Sequence, residues 1–542
     1  MEGTIELRKN ALIFVPDADP STCISLPKSS QFLRGDRAIN ESGTVRLVHR
    51  VPGTTVAVVE SPTSLFFPTY DSSLLIECKL SIGDRVQVKL GINGSVTIES
   101  VWSRDPRTDA AWLKMTVQRI PVRPAPTTKK KIPLYTRTDI VDHTDLDTFT
   151  IDPKTSVDFD DAISVDLSRQ TVYVHIVDIA HADLSETEEA KLRSQCLTLY
   201  LANEGTEHLL DEETASNTLS LVQGKPRQVV TVAMKVAHGL IESYEIYRST
   251  IVVKRRYNYE EVADLLTNGL AGPAILLLND LTHHRSTQIN YNLTLPSLRF
   301  TMDISSGLPI SLRAEATNDD AHSLVATAMI MANLVVSQHL AKTNTQLPNR
   351  FHDTLRGIPN QEPVTGNPVV DSFVLVKKFA RAKYSVDEKG HFGLGLTDYV
   401  HFTSPMRRYA DVLVHRLLAG IQYEDLETEV KAMNRQSTAM RSLQKLYQEC
   451  KVAWWVQGTP GPYDVFCTDV KAVGIQWFLP ALSLNGFTHV SALEPKQRWT
   501  FQDESLVGPS GTTVRLGSVL EGTVIKVDPV TLTISFRLYA KK

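Results

Sequence analysis

A short run of crowded aspartates constrains the fold of this chain more than any other sequence feature. Residues 150–164 read TIDPKTSVDFDDAIS, and four aspartates stand there among apolar residues rather than in a solvated acidic tract: Asp152, Asp158, Asp160 and Asp161. Carboxylates this close repel one another, and their pKa values rise unless a cation neutralises them. A fold that contains this run must therefore either expose it or place positive charge beside it.

Two interpretations of the acidic run remain open on composition alone. Hard oxygen ligands favour magnesium, with manganese as an alternative, and such an ion can activate water for phosphodiester hydrolysis. The competing interpretation is an exposed acidic turn. A calcium loop of the EF-hand type is excluded, because counting from Asp158 the sixth position is Ile163 instead of glycine and the twelfth is Arg169 instead of glutamate.

A second run, at residues 401–416, combines arginines with a helical pattern. It reads HFTSPMRRYADVLVHR, and its proline marks a place where a helix can begin, with Arg407 and Arg408 near the N-terminal end. Guanidinium groups and free backbone N–H groups there suit a phosphate. Asp411 and His415 are four residues apart and share a helix face. A salt-bridged surface helix is the alternative interpretation.

The composition is that of a soluble, multidomain protein. A chain of 542 residues is too long for one compact core, and 42% hydrophobic with 22% charged residues is ordinary for globular proteins. The chain lacks an uninterrupted apolar stretch of the ~18 residues that a membrane span needs. The five cysteines are scattered, without a CxxC pair. We expect a cytoplasmic protein with no membrane partner. The net charge of −4 does not by itself indicate nucleic-acid binding, which would depend on local clusters of basic residues.

The strand and helix patterns follow a β–mixed–β order along the chain. Residues 1 to about 120 are predicted to be all-β, and the related turns at residues 35–38 (GDRA) and 83–88 (GDRVQV) indicate a tandem duplication. A proline-rich segment at 121–126 is typical of a linker. The middle of the chain is mixed α/β, and strand patterns return between Asp464 and Leu538. Helices are predicted at Ser323 to Leu340, Asp411 to Ile421 and Asp425 to about Trp455.

The acidic and arginine runs together resemble a known catalytic domain. TIDPKTSVDFDDAISV, followed about 240 residues later by HFTSPMRRYADVLVHRLL, is similar to the RNB domain of the RNase II, RNase R and exosome-nuclease family. VYVHIVDIAHAD, LTLYL, LNGFTHVSAL and LGSVLEGTVIKV extend the likeness over nearly the whole chain. The resemblance implies OB-like, cold-shock β-barrels at 1–49 and 50–125, a linker at 126–136, a mixed α/β RNB catalytic domain at 137–455 and a C-terminal OB-fold of the ribosomal S-one type at 456–542.

The resemblance also implies an activity and a set of site residues. It predicts a 3′-to-5′ exoribonuclease that hydrolyses single-stranded RNA to nucleoside 5′-monophosphates. The four aspartates would hold magnesium, with Asp160 beside the attacking water, and Arg407 would contact the scissile phosphate. Tyr200, in LTLYL, would stack on the 3′-terminal base, with a core tyrosine as the alternative. Further substrate contacts are expected from Arg408, His415 and Arg416.

One departure from the family pattern keeps two rival functions open. Relatives carry a glutamate pair where this chain has Ala326 and Thr327, which favours a non-catalytic RNA-binding protein that kept the RNB fold. A DNA-directed exonuclease is the other rival. Both retained features, the four aspartates and Arg407, favour the ribonuclease.

RNA affinity is expected to come from backbone contacts and base stacking. Candidate basic patches are Lys129 to Lys131, Lys254 to Arg256, and Lys377 with Lys378, Arg381 and Lys383. In the C-terminal barrel we expect one or two of Trp477, Phe478, Phe487 and His489 to touch RNA. We expect a monomer.

Overall fold

The computed structural model describes residues 2–540 apart from short gaps. The gaps are residues 9–10, 20, 27–30, 51–52, 68–69, 71, 78, 103–104, 118–124, 202–204, 290–292, 317–319, 354–364, 497, 509–510 and 531. Cys78 and most of the predicted linker at 121–126 lie outside the described residues.

Two barrel-like sheets of five strands each form the N-terminal part and confirm the predicted β-barrels. The strand orders are β3-β2-β1-β4-β5 and β10-β9-β6-β7-β8, and each sheet encloses its own apolar core. Their strands are β1 Glu2–Arg8, β2 Ala11–Pro16, β3 Ile24–Ser25, β4 Arg37–Glu41, β5 Thr44–His49, β6 Gly53–Ser61, β7 Ser64–Phe67, β8 Ser72–Leu75, β9 Arg85–Leu90 and β10 Val96–Trp102.

The two GDR turns have the same hydrogen-bond pattern, which supports the predicted duplication. Asp36 accepts the backbone N–H of Leu33 at 2.8 Å, and Asp84 accepts that of Ser81 at 2.9 Å. In each turn the glycine has a positive φ, 91° at Gly35 and 86° at Gly83. A strand then begins at the following arginine in both sheets.

Helix α1, Asp109–Val117, corrects the prediction that the first 120 or so residues are all-β. A proline opens the helical turn before it, and Asp105 accepts the backbone N–H of Arg107 at 2.9 Å. Alanine and leucine then favour a helix, and Trp112 is buried against the long helix near the end of the central region. Propensity and capping therefore outweigh the strand pattern here.

The central region is built on a mixed six-stranded sheet. The order is β12-β19-β13-β14-β15-β18, and β13 runs parallel to β19 and antiparallel to β14. The other strands of the region form two-stranded pairs outside this sheet. The strands of the region are β11 Thr128–Lys130, β12 Val141–Asp142, β13 Thr148–Asp152, β14 Asp161–Asp166, β15 Thr171–Val177, β16 Leu199–Leu201, β17 Gly205–Glu207, β18 Pro226–Ala237, β19 Leu240–Asn258, β20 Pro296–Met302, β21 Pro309–Ala316, β22 Asn349–Phe351, β23 Lys383–Ser385 and β24 Ile421–Tyr423.

The described helices of the central region are α2 Glu186–Gln195, α3 Tyr259–Thr267, α4 Pro273–Ser286, α5 Asp320–Ala341, α6 Pro368–Val376, α7 Tyr409–Leu418 and α8 Leu426–Gly458. All of them except α6 contribute side chains to the core of this sheet. Among the described helices, α5 is long and apolar enough to cross a membrane by length and composition alone, and 56% of its most apolar window is buried inside the protein. Its buried face belongs to the core of the central sheet.

The three predicted helices are α5, α7 and α8, but α7 stops earlier than expected. The prediction carried it to Ile421, whereas the helix ends at Leu418. Gly420 has a φ of 82° and lies so close to strand β11 that a Cβ would meet the Lys131 carbonyl oxygen at 2.3 Å. Ile421 then starts β24, which pairs with β11 inside the segment predicted as a linker.

The C-terminal part is again β-rich and has a separate core. A six-stranded sheet has the order β27-β26-β25-β32-β33-β28, and a three-stranded sheet has the order β29-β30-β31. The strands are β25 Tyr463–Lys471, β26 Gly474–Leu479, β27 Leu484–His489, β28 Leu493–Glu494, β29 Thr500–Gln502, β30 Ser505–Val507, β31 Thr513–Val514, β32 Val519–Asp528 and β33 Thr533–Ala540. This agrees with the predicted β–mixed–β order.

Candidate active site

The acidic run turns between two strands of the central sheet. Asp152 is the last residue of β13 and Asp161 the first of β14, and these antiparallel strands place both ends at one edge of the sheet. Residues 153–160 form the connection, called here the acidic loop. Ile151 and Phe159 are buried and anchor the loop to the core, whereas Val157 is exposed. The loop is therefore not an exposed acidic turn.

All four aspartates line one cavity of about 700 Å³. Tyr200, Arg407 and Arg408 line the same cavity. The structure thus brings together seven of the predicted site residues from three distant parts of the chain.

Asp160 connects the acidic loop to the arginine run. The residue is 4% exposed, and its Oδ1 accepts the backbone N–H of Met406 at 2.8 Å. The Nε of Arg407 lies 3.6 Å from its Oδ2. Burial raises the pKa of Asp160 well above its usual value, against the opposing effect of Arg407. A buried carboxylate in this position calls for more positive charge than one arginine provides.

Asp152 and Asp161 form an acidic pair in the same cavity. Burial raises the pKa of Asp152 to about 7, and the nearby charge of Asp161 adds to the rise. Burial likewise raises the pKa of Asp161 to about 6, opposed by Arg407 and Arg408. The Oδ2 of Asp152 is buried and has no hydrogen-bond partner among the described residues. Both carboxylates would be stabilised by a cation in the cavity.

The carboxylate oxygens fit a hard divalent cation in chemistry, but they surround the cavity rather than converge. Within the described part of the chain, no group of three or more His, Cys, Asp or Glu side chains is close enough to hold a metal ion. The orphaned oxygen of Asp152 and the raised pKa values of Asp152 and Asp161 are the observations that favour a cation.

Tyr200 lies on the wall of the cavity. Leu199 and Leu201 are buried, so strand alternation turns the ring between them outward, with 42% of the residue exposed. Its hydroxyl donates a hydrogen bond to Asp158 Oδ2 at 3.1 Å. The core-tyrosine alternative therefore does not hold. The Nδ1 of His208 lies 3.8 Å from the same oxygen, a contact that the sequence did not indicate.

Arg407 and Arg408 differ in what holds them. The guanidinium of Arg408 donates two bonds to Asp411, at 2.9 and 2.8 Å, and Asp411 also accepts the backbone N–H of Ser404 at 2.8 Å. Arg407 donates to Ser404 Oγ at 3.0 Å, and its side chain is 46% exposed. Arg408 thus shapes the turn before α7, while Arg407 is available to a ligand.

His415 and Arg416 do not line the cavity, although they were predicted to bind substrate. The fully buried His415 donates from Nε2 to the Phe402 carbonyl at 2.9 Å and stacks on the Phe402 ring at 4.2 Å. Burial lowers the pKa of His415 to about 4. Arg416 pairs with Glu189. Both side chains lie about two turns beyond Arg408, where α7 has entered the core.

The cavity is also lined by residues that sequence reasoning missed. The rings of Tyr259 and His322 stack with centroids 3.7 Å apart, and both line the cavity. Ala326 also lines it, one helical turn beyond His322, whereas Thr327 is buried in the core. The pairing of α3 with α5 has no local sequence signal.

The remaining RNA-binding candidates divide between core and surface. Trp477 and Phe478 are buried, the latter stacked on Phe373 at 3.9 Å, while Phe487 and His489 are exposed. Among the basic patches, Lys129 pairs with Glu424 at 2.9 Å and Lys377 donates to Gln476 at 3.3 Å.

Comparison with known proteins matches residues 140–424, just over half of the chain, to the RNB domain family. Ribonuclease R of Chlamydia muridarum is 29% identical over 415 residues, which cover 67% of this chain and 59% of the relative. Ribonuclease R of Chlamydia trachomatis is 28% identical over 457 residues, covering 75% and 64%. The chain therefore spans less than two thirds of the length of these relatives.

Solved structures share the fold over nearly the whole chain. Mycoplasma genitalium RNase R in complex with ribose-methylated single-stranded RNA has a TM-score of 0.76 at 18% identity, covering 99% of this chain and 100% of that one. Yeast Ssd1, a pseudonuclease, has a TM-score of 0.62 at 16% identity, covering 98% and 82%. With its acidic loop, its arginine turn and the match across residues 140–424, this chain belongs to the RNB domain family.

Proposed function

We propose that this chain is a 3′-to-5′ exoribonuclease that hydrolyses single-stranded RNA and releases nucleoside 5′-monophosphates. The observation that carries the proposal is the junction at Asp160, which accepts the Met406 N–H and faces Arg407 in a cavity lined by the other aspartates. Buried carboxylates beside an available arginine suit the hydrolysis of a phosphodiester.

Magnesium, with manganese as an alternative, is the proposed cofactor. Asp152, Asp158, Asp160 and Asp161 would hold it, and when bound it would supply an activated water and neutralise developing negative charge. The buried, unpartnered oxygen of Asp152 supports this assignment. The raised pKa values in the cluster support it as well, because a cation restores the charged form.

The protein side chains would bind and orient the RNA. Arg407 would donate to the scissile phosphate, since its side chain is half exposed beside Asp160. Tyr200 would stack on the 3′-terminal base, held by its hydrogen bond to Asp158. Arg408 would contribute mainly by ordering the turn before α7.

The names of the relatives support RNA as the substrate class. The Chlamydia proteins are named Ribonuclease R, and M. genitalium RNase R has been solved with single-stranded and with double-stranded RNA. We also propose domains at 1–49, 50–125, 137–455 and 456–542, joined by a linker at 126–136. Phe487 and His489 are the proposed RNA contacts of the last domain.

The direct test incubates the protein with end-labelled single-stranded RNA and DNA oligomers, with magnesium or with a chelator. We expect a ladder that shortens from the 3′ end of RNA alone, stops at a product of a few nucleotides and disappears with chelator. Equal cleavage of DNA would contradict the substrate assignment, and chelator-resistant cleavage would contradict the metal assignment.

A non-catalytic RNA-binding protein is the second candidate. Ala326 presents a methyl group to the cavity where the family resemblance predicts a glutamate, and one structural neighbour, yeast Ssd1, is a pseudonuclease. This candidate predicts that RNA binds tightly and stays intact in the same assay.

A further inference from the structure

Arg256 belongs to a basic stretch that the sequence pattern assigned to RNA, yet its partly buried side chain lies against the acidic loop. It stands near the end of β19, and this strand pairs in parallel with β13 so that Arg256 lies opposite Thr150. The acidic loop leaves β13 two residues later. Arg256 is therefore next to the start of the loop rather than on a free surface.

The guanidinium of Arg256 contacts three carbonyl groups of the acidic loop. Its Nη2 donates to the carbonyl oxygens of Pro153 and Lys154 at 3.0 Å each and of Ser156 at 3.1 Å. The Pro153 carbonyl also accepts the backbone N–H of Ser156 at 3.0 Å, which closes a tight turn. One charged NH2 group thus contacts three of the four backbone carbonyl groups of residues 153–156.

The same guanidinium also contacts the second half of the loop. The guanidinium carbon lies 4.7 Å from the centre of the Phe159 ring, a cation–π contact with the residue between Asp158 and Asp160. Phe159 is 5% exposed, and its backbone N–H bonds to Ser220 Oγ at 3.0 Å. Arg256 therefore links the turn at 153–156 to the segment that carries two of the site carboxylates.

We infer that Arg256 is a positioning residue that sets the shape of the acidic loop and so the placement of Asp158 and Asp160, rather than an RNA-binding residue. Its guanidinium is occupied by the loop carbonyls and the Phe159 ring, and Arg256 is not among the residues that line the cavity. Its positive charge also opposes the rise in the pKa of Asp152. The expected effect of Arg256 on catalysis rests on the proposed nuclease function. Its expected effect on the shape of the loop rests on the contacts alone.

The neighbouring residue offers a matched control. Arg255 stands on the same strand with its side chain turned to the opposite side, where it is exposed and lies 4.2 Å from the centre of the Tyr257 ring. Replacing either arginine by methionine removes the same charge from the same strand and keeps a side chain of similar length. The two variants differ in the loop contacts.

The test measures loop exchange, RNA binding and turnover on Arg256→Met and Arg255→Met. For Arg256→Met we expect faster amide hydrogen exchange confined to residues 153–160, an unchanged Kd for single-stranded RNA, and a kcat lowered by roughly 10- to 100-fold, the usual cost of losing a group that orients site ligands. Arg255→Met should leave amide exchange in the loop at the wild-type level, because Arg255 makes none of the loop contacts. If Arg256→Met does not fold, Arg256→Lys is measured by the same criteria.

Two outcomes would overturn the inference. If Arg256→Met binds RNA more weakly but shows wild-type exchange in the loop, Arg256 is an RNA contact. If Arg256→Met shows wild-type exchange and wild-type turnover, Arg256 does not position the loop. Exchange is measured without metal or RNA, so it is independent of the nuclease proposal. A wild-type protein that binds RNA without cleaving it would refute the proposed function and leave the exchange result to decide the role of Arg256.

Discussion

At the scale of single residues, Tyr200 combines two contacts that can be separated. Its ring faces the cavity, and its hydroxyl bonds to Asp158 at 3.1 Å. Tyr200→Ala removes both contacts, whereas Tyr200→Phe removes the hydrogen bond alone. We expect Tyr200→Ala to lengthen the final product while cleavage continues, because stacking on the 3′-terminal base is lost, a contact that contributes ~1–3 kcal/mol. Product length is read on a sequencing gel.

Tyr200→Phe is the control for this prediction. It should keep the wild-type product length, because the ring remains. An unchanged product with Tyr200→Ala would remove Tyr200 from the base-stacking role.

The sequence predicted which residues form the site better than it predicted the residues that contact them. Four aspartates, Tyr200 and Arg407 were recognisable because they lie in two long motifs and a short one. The Met406 N–H that bonds to Asp160 is 246 positions away, and no local pattern encodes such a contact. His415 was misplaced because helix spacing tells which residues share a face but not which face enters the core.

At the scale of elements, a buried polar ladder crosses the central sheet. His175 on β15 bonds through Nε2 to Ser164 on β14 at 3.0 Å and through Nδ1 to Thr231 on β18 at 2.8 Å. Ser164 continues to Thr148 on β13 at 2.7 Å, and Thr231 continues to Ser249 on β19. The ring is fully buried, and burial lowers the pKa of His175 to about 3.

This ladder predicts an acid-sensitive sheet. The pKa of an unfolded histidine is near 6.5. Between this pH and pH 3, the unfolded chain binds a proton at His175, whereas the folded chain does not. The free energy of unfolding should therefore fall with decreasing pH in this window, by up to about 1.4 kcal/mol per pH unit from this residue. Urea titrations of the wild type and His175→Gln measure the effect.

The difference between the two proteins isolates His175, since the aspartates with raised pKa values contribute equally to both and with the opposite sign. A difference that stays constant from pH 7 to pH 4 would contradict the prediction.

Element types were predictable where apolar periodicity runs long, as in α5 and α8. Element ends were not, because contacts distant in sequence decide them. Gly420 ends α7 against the Lys131 carbonyl, and the pairing of β24 with β11 takes over from there. Helix α1 was missed because a short helix after a proline turn is a weak signal among ten strands.

At the scale of the whole molecule, one buried ion cluster joins regions far apart in the chain. Asp109 of α1 accepts from Arg85 of the second N-terminal sheet at 2.7 Å and from Lys451 of α8 at 3.0 Å. Trp454 donates to the same carboxylate at 2.9 Å, and Lys451 also reaches the carbonyl oxygen of Gly307 in the β20–β21 hairpin at 3.3 Å.

Asp109→Asn should therefore destabilise the protein strongly, because it leaves two buried cations without a counter-charge. Breaking a buried pair in this way costs about 3–5 kcal/mol. Asp105→Asn is the control, since its pair with the exposed Arg107 contributes about 0–1 kcal/mol. Chemical denaturation followed by tryptophan fluorescence measures the free energy of unfolding of both variants. An equal loss of this free energy in the two variants would contradict the prediction.

The central claim is that the acidic loop and the arginine turn meet at Asp160 to form a nuclease site. Its most direct test compares the wild type with Asp160→Asn on 5′-labelled single-stranded RNA in magnesium, with RNA affinity measured in parallel. The account predicts that Asp160→Asn binds RNA as tightly as the wild type and degrades it more slowly by a factor of roughly 100 or more. Wild-type turnover by Asp160→Asn, or a wild type that binds RNA and leaves it intact, would contradict it.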